Sequence, residues 1–309
     1  MRFFQRKRRP FFILFLLLPM LLAACQPSNQ DLFSDEATLQ VTVSILPQAY
    51  FVERIAGDII TINVMVGPGE EAHTYEPKPE QMKSLTQSQI LFTIGLEYEN
   101  VWVPRFQDIN PGLEIIDSSK GVQRIPLSTD HTHDDDGEPH DEEDFEGGLD
   151  PHVWLSPDNG RIIAENIFLA LRELAPQYAE IFQQNYDILI NEIDDLDARI
   201  ETALGDLEGG KFMVFHPAWG YFARQYNLEE IPVQVGGQDP SARELAALIK
   251  IAEEENIKVI FVQPTFSTAN AESIAKEINA RVALVDPLAK DWLSNLETAA
   301  EAFASALKD

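Results

Sequence analysis

Six histidines occur in the 309 residues, and their surroundings divide them into two sets of three. His131, His133 and His140 lie between Asp130 and Asp150, a run with eleven acidic residues and no basic one. The other three stand in ordinary mixed sequence, each at the edge of an element. His73 lies in the loop Gly67-Pro68-Gly69-Glu70-Glu71-Ala72-His73-Thr74-Tyr75-Glu76-Pro77, His152 in Asp150-Pro151-His152-Val153-Trp154-Leu155-Ser156-Pro157, and His216 in Phe215-His216-Pro217-Ala218-Trp219. Asp286, between the apolar run Val282 to Val285 and Pro287, is a fourth residue of this kind. Alone, a strand-end histidine or a helix-capping carboxylate needs no metal. Together, three neutral imidazoles and one carboxylate form a donor set for a borderline-soft divalent cation, and Zn2+ takes such a set tetrahedrally. Oxygen-only ligation would have pointed to calcium or magnesium instead. Copper and nickel also bind imidazole, so geometry and supply decide among the transition metals.

The same residues carry a catalytic reading. A zinc hydrolase with three histidines and a bound water would need Glu71 or Glu76 as its base. The chain has no HExxH arrangement, and a fully ligated ion leaves no open position for a reacting water. The expectation is therefore a metal-binding protein that is not an enzyme.

Alternating strand and helix signals supply the positions these residues need. Short apolar runs predict strands at Leu39 to Ser44, Ile59 to Val66, Ile90 to Ile94 and Glu114 to Ile116, with helices near Gln48 to Ala56 and Pro79 to Ser88. The His73 loop follows the strand ending at Val66, and loop tips beyond parallel strands are where α/β proteins hold ligands. Ser156-Pro157 is a helix start, serine as N-cap and proline at the first helical position, leading into a helix to Leu174. Pro176 opens another. Its apolar residues, Tyr178, Ile181, Phe182, Leu189, Ile193, Leu196 and Ile200, recur at helical spacing as far as Gly205, a reach of roughly 40 Å and enough to link two lobes. Beyond it the rhythm repeats. Strands are predicted at Lys211 to Phe215, Val233 to Val235, Val259 to Val262 and Val282 to Val285, and helices near Ala242 to Glu255, Ala269 to Asn279 and Trp292 to Leu307. The length and a hydrophobic content of 45% provide for two lobes with separate cores.

The N-terminus reads as an export signal. Arg2, Arg6, Lys7, Arg8 and Arg9 precede an apolar run from Phe11 to Leu22 that is too short to span a bilayer and is interrupted by Pro19. Leu22-Ala23-Ala24-Cys25 resembles a bacterial lipobox, in which Cys25, the chain's only cysteine, would be lipidated and become the mature N-terminus. Arg8-Arg9 does not distinguish twin-arginine from general export. Residues 25–37 are then a tether, the anchored protein lies outside the cytoplasmic membrane, and no internal disulfide forms. A net charge of -28 excludes nucleic acid and anionic membrane surfaces as partners and favours cations. The acidic segment 130–150 cannot bury a core and is expected to be a disordered, solvated loop. Its three histidines could hold zinc loosely for capture, buffering or sensing, or have no role.

Taken in order, the His73 loop closing in Tyr75-Glu76-Pro77, the stretch Asp150 to Pro157, Phe215-His216-Pro217 and Asp286-Pro287-Leu288 resemble one family. It is the metal-binding lipoproteins of bacterial ABC importers for zinc and manganese, whose zinc members often carry a histidine-rich acidic loop. The resemblance runs from Ser44-Ile45-Leu46-Pro47 onward. It implies two similar α/β lobes joined by one long interlobe helix, with the metal in the cleft between them, His73 and His152 from the first lobe and His216 and Asp286 from the second. It further implies capture of Zn2+ and delivery to an ABC permease, with manganese or iron as the alternative cargo and a permease-free adhesin or storage role as a more distant one. Manganese members commonly have glutamate at the third position, so His216 tilts the reading toward zinc. Two departures stand out. Gln263 replaces a glutamate of many zinc members, which weakens a carboxylate behind a ligand histidine, and Ala72 precedes His73, which leaves Asp286, a water or Glu71 as fourth ligand. The expected organisation is a signal peptide 1–24, a lipidated tether 25–37, a first lobe 38–175, a linking helix 176–205 and a second lobe 206–309, in a monomer.

Overall fold

The computed structural model describes residues 39–128, 148–234, 238, 240–266 and 268–308. Two four-stranded parallel sheets form the frame, and they repeat one topology. In the first, β1 (Gln40–Ile45), β2 (Thr61–Val66), β3 (Ile90–Thr93) and β4 (Glu114–Asp117) stand in the order β2-β1-β3-β4. In the second, β5 (Lys211–Val214), β6 (Glu229–Pro232), β7 (Val259–Val262) and β8 (Arg281–Leu284) stand as β6-β5-β7-β8. The connections carry α1 (Leu46–Ala56), α2 (Pro79–Leu85), α3 (Glu97–Ile109) and α4 (Pro157–Leu174) in the first half. They carry α6 (Gly220–Gln225), α7 (Ala242–Glu254), α8 (Thr268–Glu277) and α9 (Trp292–Lys308) in the second, with α5 (Ala179–Leu204) between. This is the two-lobed α/β architecture with a long interlobe helix.

The strands show why both faces of each sheet must be covered. Phe212 and Val214 of β5 and Val259 and Phe261 of β7 face the central core, while Met213, Ile260 and Val262 face a second cluster with Leu248 of α7 and Ile274 of α8. Successive residues of a strand point to opposite faces, so these near-continuous apolar runs fill two layers at once. The central cluster does not stop at the lobe boundary. It runs from Val41, Val43 and Phe92 of the first sheet through α4, α5 and α9 to the inner face of the second. The expectation of separate cores is thus corrected: the lobes share one core, and only the outer layer of the second lobe is separate. The cause is the long helix. Phe182, Leu189, Ile193, Leu196, Ile200 and Leu204 of α5 are at most 1% exposed, a single buried stripe along 26 residues or roughly 39 Å. Ile181, read as part of that stripe, is 46% exposed.

Other differences are local. Helices α3 and α6 were not expected, Pro104 inside α3 and the shortness of α6 hiding both. The sixth strand lies at Glu229–Pro232 instead of Val233 to Val235, because β6 begins opposite Lys211, where β5 begins. Val233 and Gln234 still extend the ladder, their N–H groups donating to Val214 O and Phe215 O at 2.8 Å. Segment 130–150 ends in ordered structure. Leu127 N donates to Gly148 O (3.0 Å), Asp150 N donates to Ile125 O (2.9 Å), and Asp150 is only 1% exposed, so the last three residues do not belong to a disordered loop. Residues 1–24 with the tether, Cys25, His131, His133 and His140 lie outside the described residues, as does Val235. No helix among the described residues is long and apolar enough to cross a membrane.

A reciprocal tryptophan clasp crosses the lobe boundary. Trp154 Nε1 donates to Pro287 O (2.7 Å), and Trp292 Nε1, at the start of α9, donates to Trp154 O (2.6 Å). Gly160 of α4 makes room for it, since a Cβ there would meet the Trp292 ring at 2.4 Å. Alanine in place of a mid-helix glycine ordinarily stabilises by about 1 kcal/mol. Gly160→Ala is predicted to do the reverse, costing about 1–3 kcal/mol through overpacking, read from the urea unfolding midpoint.

Candidate metal centre

His73, His152 and His216 come from separate loops and meet at the carboxyl ends of the strands. His73 follows β2, His216 sits two residues beyond β5, and His152 precedes α4, whose N-cap Ser156 Oγ accepts from Asn159 N (3.3 Å), the start that the Ser156-Pro157 pair predicts. The three rings form an almost regular triangle, with centroid separations of 5.2 Å (His73 to His152), 5.0 Å (His73 to His216) and 5.3 Å (His152 to His216). One ring nitrogen from each lies within 4.8 Å of the other two, and Nε2 of His73 and Nε2 of His216 are 3.2 Å apart. Trp154 lies beside His152 (5.5 Å) and Phe266 stacks on His216 (5.4 Å), so the rings have apolar walls.

Carboxylates stand behind two of the rings. His73 Nδ1 is 3.0 Å from Glu97 Oε2, and His152 Nδ1 is 2.8 Å from Asp150 Oδ1, which also accepts from His152 N (2.9 Å). Each carboxylate selects the tautomer with a proton on Nδ1 and leaves the Nε2 lone pair for a ligand. Asp150 is recognisable in the sequence, since an aspartate two residues before the histidine makes an Asx turn onto its backbone. Glu97 is not. It begins α3, 24 residues from His73, in a helix with no sequence signal strong enough to place it.

His216 and His73 differ electrically. Burial holds the His216 ring down, the neighbouring His152 and His73 add to it, and only the amide of Gln234 opposes, so its pKa is lowered to about 2 and its lone pair stays available throughout the physiological range. Burial also pulls on His73, but Glu97, with Glu71 and Asp150 further away, outweighs it and raises that ring above its ordinary value. No carboxylate is among the groups acting on His216, and Gln263, at the end of β7, is buried.

Asp286, expected in the same set, stands outside the triangle. Its Oδ1 accepts from Leu288 N (2.9 Å), and its backbone oxygen accepts from Asn295 Nδ2 (2.7 Å). Glu71 Oε1 accepts from His73 N (3.3 Å). The clasp between Trp154 and Pro287 nonetheless ties the His152 loop to the Asp286 loop across the lobe boundary.

Glu230 is the remaining buried carboxyl near the site. Its Oε1 accepts from Ala218 N (3.1 Å) and Trp219 N (2.8 Å), in the turn after His216. Burial, with Asp150 nearby, pushes its pKa up to about 8 against the opposing pull of those two N–H groups.

Three imidazoles converging across a lobe boundary, two fixed from behind by carboxylates, on paired parallel sheets joined by a long helix, describe a two-lobed solute-binding protein with a donor set for a transition metal. The sequence profile of ZnuA, "Zinc-uptake complex component A periplasmic", matches residues 41–306, and the chain belongs to that family. Among its relatives, the high-affinity zinc uptake system protein ZnuA of Bacillus subtilis (strain 168) is 30% identical over 285 residues, covering 87% of this chain and 85% of the relative. A crystal structure of ZnuA aligns with a TM-score of 0.78 at 39% identity, over 87% of this chain and 99% of that one. A zinc-bound ZnuA deletion mutant aligns at 0.79 and 38%, over 87% and 98%.

Glu230 generates a stability prediction. Folded, it keeps its proton up to about pH 8, whereas the unfolded chain loses it near 4.5, so the native state binds more protons between these values and stability falls as pH rises through that window. Glu230→Gln removes this slope. The melting temperature of the variant should exceed wild type by a margin that widens from pH 5 to pH 8; a constant margin would show that Glu230 is ionised in the fold.

Proposed function

We propose that this chain captures one Zn2+ outside the cytoplasmic membrane with His73, His152 and His216 and hands it to the permease of an ABC importer, making and breaking no covalent bond. The observation that carries the reading is the convergence of three ring nitrogens from both lobes within 4.8 Å. The zinc-bound structure of a related ZnuA supports the choice of metal, as does a donor set in which imidazoles predominate. Asp286 is the fourth ligand in this reading, reaching the ion once its loop gives up the Leu288 contact, with a water or Glu71 as the alternatives. Cys25 carries the lipid that holds a monomer at the membrane, residues 1–24 are removed, and 25–37 are the tether. The first lobe spans 38–175, the linking helix 176–205 and the second lobe 206–309. His131, His133 and His140 form a weaker accessory site that feeds or buffers the cleft. Because the lobes share a core, ligand loops rather than a wide hinge motion open the site.

Competitive metal titration tests this. One tight zinc site is expected in the wild type and in a form lacking residues 132–146, lost by at least about a hundredfold in His73→Ala and His216→Ala and much weaker for manganese. A loop-deleted form without a tight site, or a preference for manganese or iron, overturns the reading.

Proton competition gives a second test. Zinc needs the unprotonated ring, so affinity should fall as pH drops through the raised range of His73, by about tenfold per pH unit once that ring is charged. In Glu97→Gln the onset should move to lower pH, while affinity at pH 8 drops about 10–100-fold because the ring is no longer oriented. Calorimetry in buffers of different ionisation heat, which counts the protons released, checks both.

A further inference from the structure

We propose that Phe266 is a positioning residue for the metal centre: its ring, stacked on the imidazole of His216, fixes the plane of that ligand and favours its metal-bound form. The inference rests on the three-histidine zinc site proposed above. Glu97 and Asp150 orient His73 and His152 through Nδ1 (3.0 and 2.8 Å), but no carboxylate is among the groups acting on His216. Its Nδ1 is buried and has no hydrogen-bond partner of ordinary geometry among the described residues, although the amide of Gln234 acts on the ring. The torsion that turns an imidazole about its Cβ–Cγ bond has broad wells, so Nε2 points at an ion only if something holds the ring plane. Phe266 lies close to parallel with that plane, the ring centroids 5.4 Å apart and the planes 21° from each other. The imidazoles of His73 and His152 meet His216 at 63° and 79°, edge to face, so among the described residues its stacked neighbour is Phe266.

The fold delivers the ring to this place. Strands β5 and β7 are neighbours, paired at Val214 and Phe261, and Phe215 N donates to Phe261 O (2.8 Å), so the loops that follow them emerge side by side. His216 stands on the first loop. On the second, Phe266 N donates to Gln263 O (3.2 Å), closing a turn that sets the Phe266 ring against Phe215 (6.0 Å) and the outer apolar cluster. The ring is thus backed by the second lobe and presents a face to the ligand. A phenyl face is electron-rich, and zinc draws density out of the imidazole it binds, so the stack strengthens when the ion arrives. Phe266 thereby adds to affinity as well as to geometry, without placing a charge beside the ion.

Zinc affinity of the mature protein, measured by competition with chromophoric chelators at one pH, tests the proposal in Phe266→Leu, Phe266→Tyr, His216→Ala and the double variant F266L/H216A. A fifth protein carries pentafluorophenylalanine in place of Phe266, which keeps the ring shape and reverses the charge of its face. Phe266→Leu should bind about tenfold more weakly, and Phe266→Tyr should stay within about twofold of wild type because the stacked face is retained. The fluorinated protein should lose about as much as Phe266→Leu, a loss that packing alone does not produce. In the His216→Ala background Phe266→Leu should cost nothing further, the sign that Phe266 acts through that ring. Unchanged affinity in Phe266→Leu, an equal loss in both backgrounds, a Phe266→Tyr protein as weak as Phe266→Leu, or a fluorinated protein as tight as wild type would each overturn it. Should Phe266→Leu melt below the assay temperature, the fluorinated protein decides, since its side chain fills the same space. Loss of the tight site in His216→Ala alongside an unaffected Phe266→Leu defeats this inference alone, whereas tight binding that survives His216→Ala defeats the site and the inference together.

Discussion

The buried stripe of α5 is the constraint on which the site depends. Three imidazoles can meet within 4.8 Å only if the loops that carry them are held at fixed separations, and those loops belong to different sheets. Phe182, Leu189, Ile193, Leu196, Ile200 and Leu204 pack a single helix into both halves of the molecule, and Phe303 of α9 completes the wall against Phe212 (4.3 Å) and Phe261 (4.8 Å) of the second sheet. Rotating one lobe away from the other would open this core to water. At about 25 cal/mol per Å2, exposing even a few such side chains costs several kcal/mol, a large share of the stability of an ordinary domain.

Polar contacts refine what the core sets. Asp197 of α5 accepts from Arg161 of α4 (2.8 Å), Gln225 (2.9 Å) and Tyr226 (2.7 Å), joining the helix to both halves at one carboxylate. Tyr221 of α6 reaches across to Asp150 O and accepts from Ile125 N (3.3 Å), beside the residues that bracket the acidic segment. The tryptophan clasp does the same for the loops of His152 and Asp286. Each contact is modest alone, but all lie at the lobe boundary, where a shift of an ångström separates ligands that a metal needs together.

The frame was legible because its signals are periodic. Continuous apolar runs such as Val259 to Val262 announce strands buried on both faces, and the spacing of Leu189, Ile193, Leu196 and Ile200 announces one long helix. The three histidines were legible as residues at element edges, but their meeting was not, since no local pattern encodes a distance between loops 143 residues apart. Glu97 and Glu230 escaped for a related reason. A carboxylate acquires its role from what faces it, and Glu97 reads locally as a charged residue in the first turn of a helix, Glu230 as one of a pair on a strand. The shared core escaped too, because the apolar residues of α5 specify a buried face without naming what covers it.

The environments of the three rings also bear on how an ion would leave. The half-buried His216 ring is lowered by desolvation and by its neighbours and has no carboxylate among the groups acting on it, so it resists taking a proton in exchange for a metal. His152 is held on Nδ1 by a buried aspartate that is itself enclosed by the second lobe. His73 is the exception. Its side chain is 26% exposed, its carboxylate partner Glu97 is 58% exposed, and its raised pKa favours the protonated ring. On the proposed ligand assignment, His73 is therefore the ligand that water and protons reach first, while Ala72 and Tyr75 on either side of it stay buried in the shared core.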